Sequence, residues 1–445
     1  MISTFISRKV VGGILLNIFL TSSLHANTIV VPPGGDIQAA IDSVSTGGTI
    51  KVEAGTFPLT QQLVIDKNLT LTGAGIGVTV IQSPDSADLT DTFDYTGPSA
   101  RTYTPIIIVE NATNVIIKNL TVDGREQSVF GTVQGFTGVG YHNASGTISN
   151  IHVLNILEST EPTGYQEGTA ILGANDSGTN TLKVQGSVLD NFQKQGLLFI
   201  GAGLTATVKN NLITGTHVEA NPNGIELYDG STGTITNNVV ANLTNPLSFE
   251  CSGILIIDAP GVIVENNQLM NNDNGIYLNN CDNAIIKNNN LQNCSAALQL
   301  DESSSTSINS YIVEFNTISY DSVTATYGII VFSPQSTDLI SPVVSTKINI
   351  ISNAGVGLYV QGSPDGLAGP QMNMNRDSFL GASQYFVQLV LSPIDIWPTS
   401  NEVSYNGVNS SNMTAEQFNA LAVDPSTQQI VDQNTDPGLG LVLMG

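Results

Sequence analysis

The segment from Gly224 to Leu243 reads GIELYDGSTGTITNNVVANL, and the phrase returns as GILIIDAPGVIVENNQLMNN from Gly253 and as GIYLNNCDNAIIKNNNLQNC from Gly275. Each copy opens on glycine, alternates apolar and outward-type residues, passes a polar turn, alternates again and closes near paired asparagines. Alternation with period two marks strands, and no helix-length 3.6-residue pattern separates the copies, so each unit is strand, turn, strand, turn. A unit that recurs every 22 to 31 residues and cannot bury its apolar face alone has to stack on its neighbours.

The phrase extends in both directions. Upstream copies begin at Gly138, Thr169 and Gly196, and looser downstream copies at Ala297, Gly328, Gly357 and Phe386, making ten coils. Leucine-rich repeats and propellers do not fit the pattern, and rigid hexapeptide or nonapeptide repeats do not fit coils of changing length. The expected fold class is all-β, a single-stranded right-handed parallel β-helix with an N-terminal capping helix. Asn211, Asn238, Asn267, Asn289 and Asn316 share one turn position, with Asn406 expected as a later rung. Identical amides on strands about 4.8 Å apart can hydrogen-bond as a ladder, and asparagine tolerates left-handed turn backbone.

Residues 1–26 read as a secretory signal: Arg8 and Lys9 precede the apolar VVGGILLNIFL, and SLHA ends at Ala26. The expected organisation is a signal over 1–26, a cap and first strands over 27–82, the β-helix over 83–408 and a C-terminal cap and tail over 409–445. DIQAAIDSV, Asp36 to Val44, carries an aspartate cap and helical apolar spacing. MTAEQFNAL, Met413 to Leu421, is expected as a second short helix, and the apolar tail GLGLVLMG as a cover for the last coil. The expected location is secreted or periplasmic, and the expected state a monomer.

The formal charge of −24 repels nucleic acid and anionic lipid, and no later segment has the length and apolarity of a membrane-spanning helix. Neutral glycans suit such a surface, whereas an acidic polysaccharide would need bridging, for example by calcium. Calcium is the one cofactor this reading leaves open. Asp85, Asp88, Asp91 and Asp94 crowd a polar excursion at 83–104, but not at EF-hand spacing, so a solvated acidic loop is expected. Cys251, Cys281 and Cys294 do not pair by position and are expected as buried thiols.

The succession DIQAAIDSV, GGTIKVEAGTF, LVIDKNLTLTGAG and TVIQ, followed by the coils, resembles the opening of right-handed β-helix proteins of the pectate-lyase-like superfamily. That resemblance covers most of residues 30 to 408. It implies the fold, and it leaves lyases, hydrolases, epimerases, esterases and adhesins open. The polygalacturonase pattern is matched only at NGIELYDG: GILIIDAP lacks the paired aspartates, and the His-Gly and Arg-Ile-Lys elements are missing. The Gln-Asp-Thr and Asp-Phe-Ile-Phe-Gly motifs of pectin methylesterases are also missing.

Candidate chemistry lies on the first strand of each coil. Its outward column is expected to be Gly140, Ile171, Leu198, Glu226, Leu255, Tyr277, Gln299, Ile330, Tyr359 and Gln388. With Tyr228 and Phe332 it would make an elongated sugar-stacking face, unless overlying loops bury it. One step further, Gly201, Asp229, Asp258, Asn280 and Glu302 form a second column. Asp229 and Asp258 would stand roughly 5 Å apart and Asp258 and Glu302 roughly 10 Å apart, near the separations of retaining and inverting glycosidases. The same oxygens could hold calcium or simply serve their own turns.

Asp229, Asp258 and Glu302 are thus the catalytic candidates, and Glu226, Tyr228, Tyr277 and Asp301 the substrate-binding ones. For a lyase the base would come from Arg125, Lys194 or His142; Tyr141, beside His142, is expected in the core. The functional expectation is a secreted protein that acts on a polysaccharide by cleaving glycosidic bonds as hydrolase or lyase. The rival is a non-catalytic surface, adhesion or glycan-binding solenoid.

Overall fold

In the computed structural model the described residues are 27–126, 134–157, 168–216, 221–245, 251–302, 309–322, 326–332 and 342–361, with short segments between 370 and 444. They form a right-handed parallel β-helix. One 14-stranded sheet takes the first strand of every coil, and a 26-stranded sheet takes the others. Each of the ten copies supplies one strand to the first sheet, from Phe136–His142 to Tyr385–Val390. Tyr141, Gly173, Phe199, Leu227, Ile256, Leu278, Leu300, Val331, Val360 and Leu389 lie in one register line.

The opening glycine has a steric cause. A Cβ on Gly224, Gly253 or Gly275 would come within 2.5, 2.7 or 2.4 Å of the carbonyl oxygen on the next coil. The next coil presses too close there for a side chain, and the following residues, such as Ile225 and Leu227, are fully buried. With Ile235, Val240 and Leu243 they make one layer of the core, each side chain stabilising the stack by about 1.5–3 kcal/mol.

The asparagine ladder is present and longer than expected. Each backbone N–H and Nδ2 donates to the next Oδ1: Asn211 to Asn238, then Asn267, Asn289, Asn316, Asn349 and finally Asp377. Asn406 lies outside the described residues. The left-handed backbone belongs to the residue before each rung rather than to the rung itself. Asn210, Asn237, Asn266 and Asn288 have φ of 57°, 56°, 58° and 55°, and Phe315 and Ile348 repeat it at 58° and 53°. Each Asn-Asn pair therefore divides its work: the first turns the chain and the second bonds the coils.

The N-terminal helix spans Ile37–Ser43, and Asp36 caps it by accepting from Ala39 N at 3.0 Å. Ile37, Ala40 and Ile41 are buried against the first layer of core. Of the expected C-terminal helix, Met413 ends a strand, Val408–Met413, and residues 414–421 lie outside the described residues, as does the signal. The tail strand Val442–Met444 pairs beside Tyr385–Val390. All three cysteines are free and buried, and burial pushes the thiols of Cys281 and Cys294 up to about 12. No helix among the described residues is long and apolar enough to cross a membrane.

Candidate functional site

The outer face of the 14-stranded sheet carries the polar and aromatic side chains that the repeat does not need for its core. Register corrects one member of the expected outward column: Gly140 pairs with Leu172, while Ile171 pairs with Val139 and is core. In register that copy opens at Ala170, opposite Gly138, so counting from Thr169 shifts it by one. From Leu198 the column runs Glu226, Leu255, Tyr277, Gln299, Ile330, Tyr359 and Gln388 in register.

A hairpin from the polar excursion covers the first part of this face. Strands Phe93–Tyr95 and Arg101–Glu110 pair antiparallel, and Phe93, Tyr95 and Tyr103 pack onto Ile108, Leu172, Ala174, Leu198 and Ile200. Gly140 admits it, because a Cβ there would lie 3.1 Å from the Phe93 ring. Polar contacts then fix the hairpin. Asp176 accepts from Thr96 N at 2.6 Å and Thr96 Oγ1 at 2.7 Å. Asp229 accepts from Ser99 N at 2.8 Å and Tyr95 Oη at 3.3 Å. Phe93 stacks on His142 at 4.5 Å and 6°.

His142, 8% exposed, lies between two carboxylates, with Nδ1 3.0 Å from Glu110 and Nε2 2.5 Å from Asp176. Burial alone would raise the Asp176 carboxyl, but His142 and the two Thr96 donors outweigh it and hold it below the usual range. Tyr141 is core, its hydroxyl donating to Val115 O at 3.2 Å. The other lyase-base candidates are engaged elsewhere: Arg125 Nη1 reaches Ser83 O at 3.0 Å and Asp85 at 3.2 Å, and Lys194 Nζ donates to Asn221 O at 2.6 Å.

Past the hairpin the face is polar and aromatic. Glu226, 9% exposed, accepts from Asn223 Nδ2 at 3.1 Å and Gln195 Nε2 at 3.5 Å. Tyr228 is half-buried against the hairpin cluster. Asp301 is 6% exposed; its Oδ2 accepts from Tyr277 Oη at 2.8 Å and Gln299 Nε2 at 2.9 Å, and its Oδ1 has no hydrogen-bond partner. Burial pushes this carboxyl up to about 6 against the two donated bonds. The Tyr277 phenol is raised as well, by burial and then by the Asp301 charge. From the core side, Tyr311 Oη donates to Asp301 O at 3.0 Å.

The turn column also exists. Asp229 and Asp258 occupy successive coils with φ of 51° and 50°, and Asn280 follows at 55°. Their left-handed backbone explains the residue types at this turn. Asp229 is engaged by the hairpin, while Asp258 accepts from Asn280 Nδ2 at 3.1 Å and is exposed. Glu302, 4% exposed, follows Asp301 directly. Among the described residues no group of three or more His, Cys, Asp or Glu side chains forms a metal-binding cluster.

Tyr327 was not expected on this face. It stands at the first position of its strand and meets Tyr359 edge-on at 5.6 Å and 79°. It lies one position before the opening glycine, Gly328, from which the outward residues are counted.

A family model described as a right-handed β-helix region matches residues 169–341. Two curated relatives from Azotobacter vinelandii, the mannuronan C5-epimerases AlgE2 and AlgE5, are each 27% identical over 231 residues, covering 49% of this chain and 22% of theirs. The chain thus spans about a fifth of the length of these relatives. Among solved structures, a mannuronic acid specific polysaccharide family 6 lyase from human gut microbiota superposes with a TM-score of 0.57 at 11% identity, covering 94% of this chain and 91% of that one. The catalytic domain of a GH87 α-1,3-glucanase superposes at 0.56 and 14%, covering 94% and 68%. These likenesses establish the right-handed parallel β-helix fold.

Proposed function

We propose that this chain binds a neutral polysaccharide along the outer face of the 14-stranded sheet and cleaves its glycosidic bonds, with Asp301 as proton donor and Asp258 as the opposing base. One observation carries the reading: Asp301 combines a carboxyl pushed up to about 6, one oxygen that holds Tyr277 and Gln299, and a second oxygen with no partner. A carboxyl that holds its proton up to about pH 6 can give it to a leaving oxygen, while a second carboxylate on the same face can activate water. Asp258 is two coils away, roughly 10 Å by strand spacing, near the separation that leaves room for an attacking water. Tyr277, pinned through its hydroxyl, and the Tyr327 and Tyr359 pair offer rigid rings for sugar faces.

The neutral substrate follows from charge. Strands and turns from Asn223 to Asp229, Ser252 to Asp258, Asn274 to Asn280 and Ala296 to Glu302 contain no Lys or Arg but five acidic residues. A polyanion would meet repulsion there unless calcium bridged it. Support for a glycan comes from the mannuronan-active relatives and from the glucanase and lyase that share the fold.

The test is turnover on a panel of neutral and acidic polysaccharides, with calcium or chelator, following new reducing ends and the absorbance of unsaturated products. Reducing ends without unsaturation, lost in Asp301→Asn and in Asp258→Asn, are expected. Unsaturated products would replace hydrolysis by elimination and move attention to His142. Binding without turnover would leave the glycan-binding solenoid.

A further inference from the structure

The hairpin that covers the first coils changes what kind of glycan site this face can be. Its rings fill the outer column as far as Leu198 and Ile200, and a Cβ on Gly201 would lie 3.0 Å from the Tyr95 ring. At the next coil the Tyr95 hydroxyl and the Ser99 N–H are tied to Asp229. An acceptor lying along the solenoid axis therefore meets a wall at Asp229. It cannot continue over Leu198, Leu172 and Gly140.

We infer that the site is closed at its Asp229 end by the hairpin and recognises the ends of polysaccharide chains rather than their interiors. This deepens the function proposed above and rests on it. From Asp229 to Asp301 there are three coil steps, roughly 14 Å at strand spacing, the length of a short oligosaccharide. The chain terminus abuts Tyr95 and Asp229, its next sugars lie over Leu255 and Tyr277, and the bond beside Asp301 is cut. Asp229 is then a positioning residue that holds the wall. The product is a short oligosaccharide of one length, released from the start of the reaction.

The experiment uses the full chain with α-1,3-glucan and with sodium alginate, each intact and as size-graded oligomers. Binding is measured by sedimentation with the insoluble glucan and by calorimetry with soluble chains, and products are resolved by length over time. The expected result is binding that scales with the number of chain ends at constant mass, and a single short product before the bulk polymer shortens. Binding that ignores end number, or an early ladder of mixed lengths, would overturn the closed end while leaving the polysaccharide reading intact. No binding to either polymer would overturn both. End-dependent binding without turnover would support the closed end and remove the catalytic proposal.

Asp229→Gly tests the wall itself, because glycine keeps the left-handed turn and removes the carboxylate. It is expected to shift products toward mixed lengths and make cleavage near Ser99 by added protease faster. An unchanged product length in a variant whose hairpin is demonstrably loosened would overturn the proposal. Tyr95→Phe is the milder companion if the glycine variant does not fold.

Discussion

Replacing Asp301 by asparagine gives a measurement whose sign and size follow from the structure. The folded protein holds the Asp301 carboxyl at about 6, against its ordinary 3.8, because burial penalises the charge more than the Tyr277 and Gln299 donors stabilise it. The folded state therefore keeps a proton that the unfolded chain releases, and stability falls as pH rises between those two values. The contribution is fully present below about pH 4 and has gone above about pH 6; at about 1.4 kcal/mol per pH unit it amounts to about 3 kcal/mol. Asp273, raised by burial, contributes with the same sign, and Asp176, held below its usual value, with the opposite one. The informative quantity is thus the difference between wild type and Asp301→Asn. Urea unfolding of both proteins at closely spaced pH values from 3.5 to 7.5, read at matched slope, should show the wild type losing stability relative to the variant across pH 4 to 6. A difference that stays level throughout would show that Asp301 is solvated, and would remove the reason to make it the proton donor. If the group also acts in catalysis, the rate profile of any turnover should break on its basic side near the same pH.

Two further predictions concern the stack that presents the site. Asn267→Ala removes a side chain that accepts from Asn238 and donates to Asn289 and Ile235 O; the buried groups left behind should cost about 2–4 kcal/mol in urea unfolding, and a cost within error of zero would refute the ladder as a stabilising device. Ile348→Asn relieves a branched side chain held at φ 53° where Asn210, Asn237, Asn266 and Asn288 fill the same turn position, so it should stabilise by about 0.5–1 kcal/mol after its partial loss of apolar contact, while Asn266→Ile should cost about 1–2 kcal/mol; the opposite pair of signs would show that the turn does not select by backbone.

The solenoid was legible because it is repetitive: ten copies of alternating strand, seven of them opening on glycine and several ending on in-phase asparagines, leave little choice of register. The ladder could be read from Asn211 to Asn289 because those rungs are written as Asn-Asn, and Asn316 followed from its place in the repeat. It was lost at Asn349, where Ile348 occupies the turn position, and at Asp377, where a carboxylate ends the amide series. The Asp229 and Asp258 column was equally visible, yet alternation and spacing do not show which oxygens are already bonded. Asp229 binds Ser99 and Tyr95, residues 130 and 134 positions away in the chain, and no local pattern carries that contact.

The same argument explains why Asp301 looked secondary and Asp229 primary. In sequence the two are alike, an aspartate at the end of a β-strand, and the choice between them rested on a column count. Burial and partners separate them. Burial raises the Asp301 carboxyl against the bonds donated by Tyr277 and Gln299, whereas Asp229 lies at a turn and accepts from an incoming backbone N–H. A repeat of this kind can place a carboxylate at every coil at little cost to its core. What gives any one of them chemistry is a neighbour that departs from the repeat, and here those neighbours are the hairpin at 93–103 and the tyrosines at 277 and 311.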